Sequence, residues 1–121
     1  MIIKCEGNFE SIDVNRVVND VVWNGKKLLE AIVRIPIVAW WANEETGLLL
    51  PVLLNGVKAK VTDIIINKDT LAWHCGHDRC CKWRDKNHVE MMNYIANHVN
   101  DMIDAQNKDN KLMGIDLIQN V

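Results

Sequence analysis

Between residues 11 and 36 the apolar positions fall on a helical period. Val14, Val17, Val18, Val21, Val22, Leu28, Leu29 and Ile32 follow the i, i+3, i+4, i+7 spacing of one helix face. The doublets Val17-Val18 and Val21-Val22 break the strict alternation that a half-buried strand needs. Asp13 is a suitable N-cap, and Pro36 ends the run by pushing Ile35 out of the helical region. The expected element is one helix kinked at Gly25. Asn24-Gly25 competes with it, because this dipeptide favours tight hairpin turns and valine is a mediocre helix former.

The period then changes to two. PIVAWWA and LLLPVLL, residues 36–42 and 48–54, flank Glu44-Glu45-Thr46-Gly47 and predict a hairpin of strands. Pro51 predicts an edge position or a bulge, since it cannot donate to a ladder. Asn55-Gly56 offers a second turn before VKAKVTDIIIN, where lysine alternates with Val57, Ala59 and Val61. A turn at Asn67-Lys68-Asp69-Thr70 precedes LAWHC, the expected last strand, and MIIKC forms a short first one.

A second helical stripe runs through Met91 or Met92, Ile95, Val99 and Met102 or Ile103 to about Gln106. QNKDNK reads as a polar loop, and GIDLIQNV as a final strand or, with the rest of 107–121, a loosely docked tail. The order predicts an α+β fold: an antiparallel sheet of about four to five strands packed with an N-terminal helix and a C-terminal helix. At 121 residues, with no internal repeat, one compact domain is expected.

Charge narrows the partners. The net charge of −2, without long runs of either sign, disfavours a protein held to nucleic acid mainly by counterion release. Arg79, Lys82, Arg84 and Lys86 interleave with Asp78 and Asp85, as on a solvated turn. The most apolar region, residues 35–54, is interrupted by Asn43, Glu44, Glu45 and Gly47, so it cannot cross a bilayer as one helix. The start lacks a basic segment followed by an apolar run, which argues against a signal peptide and for the cytoplasm.

Candidate chemistry concentrates in WHCGHDRCCKWRDKNHVE, residues 73–90, which hold three of the four cysteines and three of the four histidines. Adjacent Cys80 and Cys81 have Cα atoms about 3.8 Å apart, too close for an unstrained disulfide. Thiolate and imidazole donors suit zinc, so the metal candidates are Cys75, His77, Cys80 or Cys81, and His88. Gly76 permits a sharp turn between the first two. A helix starting at Asp78 would put Cys81 and His88 about 10.5 Å apart along its axis, too far for one metal with bonds of about 2.0–2.3 Å. A shared zinc therefore requires the helix to start near Asp85, an acceptable N-cap.

A hairpin leading through such donors into a helix resembles, over residues 57–99, the SWIM-type zinc finger with its C-x-C and C-x-H pairs. Here Cys75-Gly76-His77 carries a histidine in the second position, and Cys81 to His88 is longer than C-x-H. The same outline is similar to the ββα-metal nucleases, with His74 or His77 as base and His88 as ligand. That reading gives a small metal-dependent hydrolase centred on residues 74–88. A thiol enzyme is a further alternative, with a cysteine whose pKa is lowered by Arg79, Lys82 and the imidazoles. No orienting carboxylate or hydroxyl network completes any catalytic set, so a non-enzymatic protein is expected.

Five tryptophans stand against one phenylalanine and one tyrosine. Trp40 and Trp41 are neighbours on an expected strand and point to opposite faces, so one of them lies outside the main core. Tryptophan gathers at interfaces, which makes Trp40, Trp41 and Trp83, with Arg79, Lys82 and Arg84, the candidate partner-binding residues. The expectation is a small binding protein of adaptor or inhibitor type that docks on a protein, stapled by a structural zinc at residues 75–88. A nucleic-acid-binding zinc module and a homodimer are the alternatives.

Overall fold

The structure is a computed structural model that describes residues 2–45, 49–60, 63–74 and 88–121. The fold is α+β, with a six-stranded antiparallel sheet, an N-terminal helix and a C-terminal helix. The chain divides into two units: Met1–Asp13 with Val33–His88, and Val14–Ile32 with Val89–Val121.

The first unit is the sheet. Its strands are β1 (Ile2–Lys4), β2 (Phe9–Ile12), β3 (Arg34–Ala42), β4 (Leu49–Leu53), β5 (Ile64–Asn67) and β6 (Trp73–His74). β3 is the longest and organises the rest. Its first half pairs with β2 and its second half with β1, while β4 pairs along its other side. β1 and β2 thus pair with successive stretches of β3, with the register shifting across residues 5–8, where Cys5 N–H donates to the Val38 carbonyl at 3.3 Å. β5 joins β2, and β6 closes the order through a tight return from β5.

The strand β2 departs from the expected first helix by occupying residues just before it. The proline-bearing β4 lies outside the main strand path, as Pro51 requires. Beyond it the chain makes only an isolated bridge, Val52 with Lys58, and Ala59 N–H reaches the Pro51 carbonyl at 2.8 Å. The expected strand over residues 57–67 therefore begins only at Ile64.

One face of the sheet buries Ile12, Ile64, Ile66 and Trp73 completely. The opposite face carries a cluster of Ile37, Leu53 and Ala59, with Cys5, Phe9, Ile35, Trp40 and Ile65 packed against it. A bulge decides which tryptophan joins this cluster. Pairing with β4 passes from Ile37 to Ala39 and leaves Val38 as the extra residue. The skipped residue resets the alternation, so Trp40 shares the face of Ile35 and Ile37, and Trp41 takes the other.

The second unit is helical. α1 (Val14–Val22) buries Val14, Val17, Val21 and Val22, the expected stripe. The single kinked helix is replaced by two: α2 (Leu28–Ala31) follows a loop in which Gly25 has φ +66°. A glycine in the left-handed region ends a helix rather than bending it. Asp20 anchors this loop, accepting from Asn24 Nδ2 at 3.0 Å and lying 3.7 Å from Lys26 Nζ.

α3 (His88–Met113) buries Met91, Ile95, Val99 and Ile103 on one stripe. It continues through the polar run that the sequence reads as a loop. Gly114, at φ +68°, turns the chain back, and the expected final strand is absent. Residues 115–121 run antiparallel to α3, bonded to asparagine side chains on it.

Candidate functional site

Trp40 is the floor of the most distinctive feature of the sheet unit. Its indole meets the Phe9 ring edge to face, with centroids 5.7 Å apart and an interplanar angle of 77°. This geometry suits the ring quadrupoles and fixes the indole plane. Around Trp40, the side chains of Ile3, Leu49, Ile65 and His74 line a cavity of about 260 Å³. With Trp40 they come from five different strands, β1, β3, β4, β5 and β6. Strand pairing brings them onto one face, since Ile3 lies opposite Trp40 and Ile65 opposite His74.

Among the described residues the lining is apolar apart from the imidazole. Ile3 and Leu49 are 43% and 53% exposed, so they form a greasy rim rather than a sealed wall. A polar tip among apolar walls can orient a bound group. The rim strand β1 pairs with β3 alone among the described strands. No described strand pairs with the main-chain donors and acceptors on its outer side.

Trp41, on the other face, lies beneath the Lys58 ammonium, which sits 3.8 Å from the ring centroid. This cation–π contact covers the indole with a solvated charge. The two candidate tryptophans are therefore separated: Trp40 faces the cluster and cavity, and Trp41 a lysine. Glu44 and Glu45 sit in the hairpin turn after β3, where Glu45 N–H donates to Asn43 Oδ1 at 2.9 Å. They read as turn residues.

Of the metal candidates, His88 is exposed at the first position of α3. Cys75, His77, Cys80 and Cys81 lie outside the described residues, as do the partner-binding candidates Arg79, Lys82, Trp83 and Arg84. Among the described residues no three His, Cys, Asp or Glu side chains are grouped to hold a metal ion. No helix among them is long and apolar enough to cross a membrane.

One carboxylate stands out at the margin of the sheet. Asp63 is buried, and its Oδ1 has no hydrogen-bond partner among the described residues, while Oδ2 accepts from Lys60 N–H at 2.8 Å. Burial pushes its carboxyl up to about 6, against the lowering effect of the Lys60 N–H; the neighbouring Asp13 charge adds a smaller upward push. Asp13 is itself tied to Lys60 Nζ at 3.4 Å.

Sequence reasoning singled out Trp40 and considered His74 as a base. It missed Ile3, Leu49 and Ile65, because their convergence depends on strand order and on the Val38 bulge, neither of which leaves a local pattern. No family model, curated protein or solved structure matches this chain.

Proposed function

We propose that the chain is a non-enzymatic binding protein that docks on an extended segment of a protein partner through the Trp40 face of its sheet. The observation that carries this reading is the apolar cavity set beside the one-sided strand β1. A strand added along β1 would bond to the main-chain groups that no described strand pairs with and direct alternate side chains over the face that carries Ile3. One apolar side chain would then enter the cavity. A volume of about 260 Å³ suits one such anchor and falls below the roughly 300–1,000 Å³ of small-molecule sites. The apolar lining among the described residues and a net charge of −2 favour a protein partner over nucleic acid.

The test is a titration of the full-length protein, methyl-labelled at isoleucine and leucine. The probes are capped tripeptides with phenylalanine, leucine or lysine at the centre. Saturable shifts are expected at Ile3, Leu49 and Ile65 with the two apolar centres, weakened at least tenfold in Trp40→Ala. Shifts scattered over the molecule, or equal binding of the lysine peptide, would sink the proposal.

A structural zinc held by Cys75, His77, Cys80 or Cys81, and His88 is proposed alongside this role. The support is that His74 closes β6 and His88 opens α3, so the donors between them join a strand end to a helix start. Placement in the cytoplasm belongs to the same proposal and rests on cysteine usage, with Cys5 a free thiol.

A further inference from the structure

Three asparagines on α3 hold the C-terminal segment, and they do so in an unusual way. Asn107 makes two bonds to a single residue: Ile118 N–H donates to its Oδ1 at 2.8 Å, and its Nδ2 donates to the Ile118 carbonyl at 2.8 Å. Asn100 repeats the arrangement with Val121, at 2.8 and 3.2 Å. Asn110, buried, donates from Nδ2 to the Asp116 carbonyl at 3.3 Å and accepts from Gln106 Nε2 at 3.0 Å. Its own main-chain carbonyl accepts from Ile115 N–H at 2.8 Å. Every one of these bonds to the segment uses main-chain atoms of the segment.

The chemistry requires an amide. A carboxamide presents one acceptor and one donor side by side, matching the N–H and C=O of one residue. A carboxylate accepts only, and an ammonium donates only. The spacing fits as well. Seven residues of α-helix rise about 10.5 Å, and three residues of extended chain span about 9–10 Å. Asn100 and Asn107 therefore meet Val121 and Ile118 in antiparallel register. An odd interval of three does not follow the two-residue period of a strand, in keeping with the absence of a strand there.

Most of the segment's side chains contribute little to its attachment. Ile115, Leu117 and Val121 are exposed, Leu117 to 60%, while Ile118 is half-buried. A rail whose hydrogen bonds reach only main chain, with most of the segment's side chains facing solvent, depends weakly on which sequence it grips.

We propose that Asn100, Asn107 and Asn110 form a binding site for extended polypeptide main chain. The chain's own residues 115–121 occupy it in cis, and an extended segment of a partner protein occupies it by displacing them. The competition is set by effective concentration, of millimolar order for a short connection such as the turn at Gly114. Weakening the cis segment therefore strengthens binding in trans.

The experiment uses full-length, ¹⁵N-labelled protein and the unlabelled capped octapeptide Gly-Ile-Asp-Leu-Ile-Gln-Asn-Val. At peptide concentrations of about 5 mM, the Ile118 and Val121 amide signals of the protein move to free-chain positions, while the Asn100 and Asn107 side-chain amides keep their bonded shifts. A scrambled octapeptide acts within about threefold of the same midpoint, and one N-methylated at its second isoleucine and its valine is at least tenfold weaker. Ile118→Pro, which removes the N–H that Asn107 accepts, lowers the concentration required at least tenfold. Asn107→Leu abolishes binding while the Met91 and Ile95 methyl signals stay in place, which separates loss of the site from loss of the fold. Failure of the octapeptide to bind the Ile118→Pro chain overturns the proposal. So does equal binding of the N-methylated peptide, failure of the scrambled one, or undiminished binding by Asn107→Leu.

Discussion

Asp63 shows what one side chain can impose on the whole molecule. Its carboxyl titrates near 6 in the folded chain against an ordinary value of 3.8, chiefly because burial disfavours the charge. Between those two values the folded form keeps a proton that the unfolded form has released. Stability from this group therefore falls as pH rises from about 4 to 6 and is level above that window. Asp63→Asn keeps an acceptor for Lys60 N–H and removes the buried charge. The expected result is a gain of about 1–3 kcal/mol at pH 7.5 and loss of the slope between pH 4 and 6, read from urea unfolding at both ends. A wild-type stability that rises across that window would contradict the account. At this same scale the sequence was only half legible. Period-two alternation placed Trp40 and Trp41 on opposite faces, but which one met Phe9 rested on the Val38 bulge, a product of register with β4.

At the level of elements, strong periodicity was readable and buried context was not. The valine stripe of α1 and the Met91, Ile95, Val99 stripe of α3 could be read directly. β2 could not, because Ser11 and Ile12 are both buried: a four-residue strand enclosed on two faces shows no alternation. The polar run at the end of α3 reads as a loop because its inner face contacts main chain rather than apolar side chains, and Asn110 is buried there with its bonds satisfied. The choice between Met102 and Ile103 is now sharp. Ile103 is fully buried and Met102 is 42% exposed. Ile103→Ala is expected to cost about 2–5 kcal/mol and Met102→Ala under about 0.5 kcal/mol in chemical denaturation. Comparable losses would mean that the helix presents a different stripe.

For the molecule as a whole, composition and periodicity sufficed for an α+β fold with an antiparallel sheet. They could not give the strand order, which arises from pairings far apart in the chain. A zinc held by the proposed donors would staple the end of β6 to the start of α3, consecutive elements joined by residues 75–87. Elemental analysis of untagged protein purified without chelator is expected to find about one zinc per chain. Chelation should then lower unfolding stability by about 4 kcal/mol if free zinc had exceeded its dissociation constant about a thousandfold. Metal-free protein with the same stability would remove the proposal and leave the Trp40 face unaffected. Ile12 pairs with Arg34 on one side and Ile64 on the other, and neither neighbour follows it directly in sequence. The β3–β4 and β5–β6 hairpins are local, and hairpins of this kind close in about 1–10 μs. β2 must find a slot between them, separated from β3 by α1 and α2 and from β5 by the β3–β4 hairpin as well, and such non-local closure is slow. The topology thus implies a folding order in which two hairpins wait for a third strand. Until it arrives, the facing edges of β3 and β5 are open to any other chain, and aggregation competes with that one docking step.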